Sequence, residues 1–181
     1  MKKISKVISV LKRGLIKKMV YYNVDSYLSS YTKYLQEIGV QFTGEKRKIK
    51  YIDPSVYFDG TDYSLISLGD NVTISREVMI LTHDYSITTA MCTLGKRIER
   101  HEGEMFFLKE ISIGDDTFIG ARVSLLPGTK IGKNCIIGAC AVVKGDIPDD
   151  SIVVGNPGKI IGRTSDYASK HAVLEDYCIE L

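Results

Sequence analysis

The four cysteines, Cys92, Cys135, Cys140 and Cys178, include no CxxC pair, so neither a zinc ribbon nor a redox dithiol can be read from them. Their even number permits disulfides, but nothing else points to secretion, and a reduced cytosolic compartment is the expectation. Charge of one sign is also missing. Twenty-four basic against 22 acidic residues leave +2, too little to mark a dedicated nucleic-acid binder. Long apolar runs are absent, because lysines interrupt Ile4, Val7, Ile8, Val10 and Leu11. That pattern fits neither a signal segment nor a spanning helix.

The chain instead contains a repeat of six. Stepping from Ile113 gives Ile119, Leu125, Ile131, Ile137 and Val143, and glycine follows at Gly114, Gly120, Gly132 and Gly138. Four residues past each anchor stand Thr117, Val123, Thr129, Cys135, Ala141 and Ile147. Upstream, Leu68, Ile74 and Ile80 keep the step, while Ile52 and Phe58 form an earlier coil displaced by a slip of four residues. Period six matches neither a helix nor a long alternating strand. It fits triangular coils of about 18 residues, each face turning one large aliphatic to the axis, with parallel ladders between coils.

Two stretches break the repeat. Ile80 and Ile113 are not separated by a multiple of six, so residues from about 84 to 109 leave the coil, and long excursions in compact domains are usually functional. Residues 1–48 also lack it. There, Asp25 or Ser26 can cap a helix that carries Tyr27, Leu28, Tyr31 and Leu35 and stops at Gly39. Before that helix, Ile4, Val7, Ile8, Leu11 and Leu15 make an amphipathic stripe among lysines. The division is therefore an N-terminal helical segment at 1–48, a coiled β domain at 49–163 and a tail at 164–181.

Ile80-Leu81-Thr82-His83-Asp84-Tyr85-Ser86, Gly103-Glu104-Met105, Ile113 to Gly120, Asp146-Ile147-Pro148 and Val153 to Lys159 together resemble the hexapeptide-repeat acyltransferase superfamily. The likeness is to its galactoside and maltose O-acetyltransferase branch, nearest the O-acetyltransferases of bacterial surface polysaccharides. It implies an all-β solenoid, a left-handed parallel β-helix, although the usual crossover rule would give the opposite hand. It also implies acetyl-CoA as co-substrate, a homotrimer whose sites combine two chains, and a small-molecule or lipid-linked sugar acceptor.

The resemblance makes His83 the catalytic base, placed where the repeat stops. Imidazole titrates near neutrality and can take the proton of an acceptor hydroxyl, with no enzyme nucleophile required. Glu104 is the second catalytic candidate, a carboxylate to hold the histidine or the acceptor. Coenzyme contacts implied by the family fall at Ala121 (the oxyanion backbone), Ala139, Lys144, Lys159 and Arg163. The cations suit pyrophosphate and 3′-phosphate. Asp59, Asp62, Tyr63 and Arg76 are candidates for acceptor contacts, with turn-forming or surface duty as the alternative for each. His101 and His171 lack a motif. Three histidines so spaced do not converge on adjacent faces, so no metal is expected.

Residues 1–18 hold seven basic side chains and no acid, so residues 1–20 are a candidate surface for an anionic membrane, peripheral on the cytoplasmic side. Packing on a trimer or plain solvation are the other readings. The leading function is acetyl transfer to a hydroxyl of a sugar or glycan. N-acetylation of an amino-sugar nucleotide and a non-catalytic structural β-helix are the alternatives.

Overall fold

The computed structural model describes residues 2–60, 62–98, 103–175 and 177–179, with side chains from residue 9 onward. Short strands fall on three faces visited in rotation. The first face holds Gln41–Phe42, Ile66–Leu68, Ile111–Ile113, Lys130–Ile131 and Asp146–Ile147. The second holds Tyr51–Ile52, Thr73–Ile74, Phe118–Ile119, Ile136–Ile137 and Ser151–Val154. The third holds Tyr57–Phe58, Met79–Ile80, Ser124–Leu125 and Val142–Val143. Pairing within each face is parallel until Lys159–Arg163 folds back antiparallel on Ser151–Val154.

The hexad explains this layout. Ile113 pairs with Ile131, Ile119 with Ile137 and Leu125 with Val143, so each anchor stacks on the anchor one coil on, and all six are buried. Full burial of each such side chain contributes about 1.5–3 kcal/mol. The smaller residues beside the corners fill the remaining axis. Thr117 and Thr129 are buried there, and their hydroxyls donate to Gly132 O at 2.9 Å and Val143 O at 3.0 Å. Glycine follows the anchor because coils touch at that point. A Cβ on Gly120 would stand 2.7 Å from Ala139 N, and one on Gly114 2.6 Å from Gly132 C.

The regular corners each use a left-handed residue. Asn71, Asp116, Asn134 and Asp150 serve between the first and second faces. Glu77, Arg122 and Cys140 serve between the second and third, and Gly128 and Gly145 between the third and first. Asx residues tolerate this region through local hydrogen bonds, whereas Glu, Arg and Cys are strained by it.

The irregularities sit where the repeat breaks. Residues meeting across the regular coils are 18 apart, as Thr117 and Cys135 are. Ser55 and Glu77 meet at a separation of 22, and the added residues include the turn Tyr63–Leu65. Asp70 and Asp115 meet at 45, and the excursion lies between them. It contains the helix Ser86–Met91 and an antiparallel pair, His83–Asp84 with Phe107–Leu108.

Helix α1 (Lys2–Lys18) packs on α2 (Val24–Ile38), and α2 buries Tyr27, Tyr31, Tyr34 and Leu35 at one end of the coil stack. The Tyr27 hydroxyl donates to Ile52 O at 2.7 Å. The N-cap is Asn23, whose side chain accepts from Ser26 N at 2.7 Å, rather than Asp25 or Ser26; Gly39 ends the helix at φ +115°. The parallel faces begin before residue 49, since Gln41–Phe42 already pairs with Ser67 and Leu68. Phe42 stands ten residues before Ile52, not a multiple of six, which hides this strand from the hexad. Residues expected as tail include a further helix, Thr164–Leu174.

Candidate active site

The corner between the third and first faces carries Asp59 and His83 on adjacent coils and Lys144 two coils on, with Leu126 between. Asp59 N donates to Ile80 O, Leu81 N to Leu125 O and Leu126 N to Val143 O, so this edge is held by the backbone ladder. Asp59 is 1% exposed, and its Oδ2 accepts from Thr82 N at 2.9 Å, Thr82 Oγ1 at 2.9 Å and His83 N at 3.1 Å. The same oxygen forms a short contact with His83 Nδ1. Burial alone would raise the Asp59 carboxyl, but the Thr82 and His83 hydrogen bonds outweigh it and hold the group below its ordinary value. The histidine side chain is 27% exposed, so the pair runs from a buried carboxylate to a solvent-reachable imidazole.

The excursion walls this pair. His83 and Asp84 pair with Leu108 and Phe107, and Lys109 N donates to Thr82 O at 2.9 Å. Tyr85 meets His83 edge-on with centroids 5.0 Å apart, and Phe106 packs on Tyr85 at 4.8 Å. Asp84, Phe107, Lys109, Pro127 and Lys144 line a cavity of about 100 Å³ immediately beside them. Asp84 is held below its ordinary value mainly by hydrogen bonds from Ser86, with Lys144 adding an attractive charge.

The expected residues separate into groups. His83 and Lys144 share the corner just described. Glu104 is exposed in the excursion, and the carboxylate on His83 Nδ1 is that of Asp59. Asp59 was expected among acceptor contacts, yet its burial turns it to the histidine. Asp62 caps the turn at Ser64, while Tyr63 packs toward α2. Ala121, Ala139 and Arg76 lie at the opposite edge of the third face, linked by Arg122 N to Arg76 O and Cys140 N to Ala121 O, both 2.9 Å. Lys159 and Arg163 belong to the final antiparallel strand, where Arg163 Nε pairs with Asp150 at 2.9 Å. His101 lies outside the described residues, and the His171 ring packs against Tyr167 at a tilt. Among the described residues no cluster of metal-binding side chains forms. Reading the sequence missed Asp59 as the histidine's partner, together with Tyr85 and Phe106; Tyr85 lay inside the motif and was a usable signal.

Comparison with known proteins bears on this geometry. The bacterial transferase hexapeptide (six repeats) family matches residues 110–145. The protein CapG of Staphylococcus aureus is 33% identical over 147 residues, covering 81% of this chain and 79% of that one. Galactoside O-acetyltransferase of Escherichia coli (strain K12) is 33% identical over 119 residues, covering 66% of this chain and 53% of that one. The chain spans about half the length of that relative, and 40% and 46% of two further acetyltransferase relatives. A galactoside acetyltransferase solved in complex with coenzyme A shares the fold, with a TM-score of 0.56, 22% identity and coverage of 96% of this chain and 88% of that one.

Proposed function

This chain belongs to the bacterial hexapeptide transferase family, and we propose that it moves an acetyl group from acetyl-CoA to a hydroxyl of a sugar or glycan. The observation that carries this reading is the buried Asp59 carboxylate on Nδ1 of a partly exposed histidine at a coil edge. With Nδ1–H directed to Asp59, Nε2 keeps its lone pair and acts as the base. It takes the acceptor hydroxyl proton as that oxygen attacks the thioester carbonyl, and Asp59 stabilises the imidazolium that results. The imidazolium then returns the proton to the departing thiolate, so charge and protons balance with no covalent enzyme intermediate. Acetyl-CoA supplies the acyl group, and Lys144 and Lys159 are exposed cations suited to its phosphates. Glu104 remains a proposed contact to the acceptor or to His83.

The coils are inferred to wind left-handed and to assemble as a homotrimer. The separation of His83 and Lys144 from Ala121 and Ala139, on opposite edges of one face, supports a site completed by a neighbouring chain. A peripheral place at an anionic cytoplasmic membrane surface is proposed for residues 1–20; no helix among the described residues is long and apolar enough to cross a membrane. The test is transfer of labelled acetyl from acetyl-CoA to lipid-linked and nucleotide-linked sugars by wild type and His83→Ala. We expect a loss of about 10²- to 10⁴-fold in the variant. Equal rates would remove His83 as the base.

A further inference from the structure

A cavity of about 170 Å³ lies between α1, α2 and the coil that carries Asp59, lined by Arg13, Lys17, Tyr31, Tyr57, Phe58 and Tyr63 among others, none of them a carboxylate. Arg13 and Lys17 are half-buried and one helical turn apart, and neither makes an ion pair among the described residues. Lys12, on the same helix, is by contrast paired with Glu37. Lys17 sits 5.9 Å over the Tyr31 ring, a weak compensation for its burial. Its ammonium is lowered first by that burial and then by Arg13, with Asp53 acting in the other direction. The Asp53 carboxylate is itself occupied, accepting from Ser55 N at 2.9 Å and from the Ser55 hydroxyl.

Two like charges converging in a partly dry space disfavour the empty state. An oxyanion between them would relieve the repulsion and could meet the guanidinium fork and the ammonium together. The cavity also adjoins the catalytic pair along the chain. Phe58 precedes Asp59, and the Tyr63 hydroxyl lies 3.2 Å from where a Cβ on Gly60 would stand. Its volume is below the roughly 300–1,000 Å³ of a pocket for a whole ligand, so it suits one anionic group and part of a sugar ring. Tyr57 and Tyr63 offer ring faces and hydroxyls of the kind that pack on sugars.

We propose that this cavity binds the phosphate or carboxylate of the acceptor, making the acceptor an acidic or phosphorylated sugar rather than a neutral one. The word acceptor rests on the acetyl-transfer reading, whereas the anion site rests on the cavity alone. Calorimetric titration of the full chain, without acetyl-CoA, compares glucose 1-phosphate, glucuronate and glucose. At least one anion should bind tenfold or more tightly than glucose, and the better anion distinguishes phosphate from carboxylate. Arg13→Gln and Lys17→Gln should each weaken that anion by about tenfold or more. Lys18→Gln, which removes the same charge from an exposed position, should retain it. Glucose binding as tightly as both anions, or equal weakening by Lys18→Gln and Arg13→Gln, overturns the proposal. Because no acetyl is transferred, loss of the His83 assignment would leave this result standing, and the reverse.

Discussion

Four donors converge on one oxygen of Asp59, and its replacement reports on both chemistry and stability. Asp59→Asn retains the side-chain shape but places a neutral amide opposite Nδ1–H. Acetyl transfer should fall about 10²- to 10⁴-fold, mostly in kcat, with acetyl-CoA binding measured by calorimetry little changed. Stability should respond to acid. A carboxyl held below its ordinary value, about 3.9, contributes stability that is fully present above that value and lost as pH falls through the depressed one. Denaturation midpoints from pH 6 to 2.5 should therefore fall more steeply for wild type than for Asp59→Asn; parallel curves would refute the linkage. His83 was singled out in the sequence by the family resemblance, at the place where the repeat stops. Asp59 was named only as a candidate acceptor contact, and its pairing with His83 was hidden. It lies 24 residues upstream across a coil lengthened by four, and hexad stepping cannot predict which side chains such a slip brings together.

At the level of single elements, the same repeat sets limits on substitution. Gly120→Ala places a Cβ against the Ala139 and Ile137 backbone of the next coil, where no flexible side chain can yield. It should cost about 1–3 kcal/mol in urea denaturation. Cys140→Gly should act oppositely, gaining about 1 kcal/mol by relieving a left-handed φ of +62° at an exposed corner. From residue 9 onward, helix α1 departs from the usual amphipathic plan. Ile16 is buried toward α2, while Leu11 and Leu15 are 63% and 69% exposed. The sequence displayed the stripe, but only the packing reveals that Leu11 and Leu15, its members with described side chains, are exposed rather than buried against α2. Leu11→Glu with Leu15→Glu should abolish sedimentation with anionic liposomes while leaving the thermal midpoint within a few degrees; unchanged sedimentation would dismiss the membrane reading.

Across the whole molecule, stability is a sum of coil-on-coil contacts, which makes both ends of the stack vulnerable. The tyrosine face of α2 covers one end, and the returning strand Lys159–Arg163 pairs with the last strand of the second face at the other. Ending the chain at residue 158 should expose the edge of Ser151–Val154, lower the melting temperature and promote aggregation seen by light scattering. The ladder itself was readable because its period is unlike that of any helix or alternating strand. The outlying strand Gln41–Phe42 and the cap at Asn23 were hidden, being set by pairing and backbone geometry rather than by periodicity.

The excursion has a consequence for how such proteins diversify. Leu68 and Ile113 remain neighbours in register although the chain between their coils is far longer than a regular turn. The stack therefore works as a rack whose shelves stay level whatever is slotted between them. On the acetyl-transfer reading, new acceptor ranges can arise by exchanging the segment that follows His83, as a cassette, while the histidine and the stacked core are left untouched.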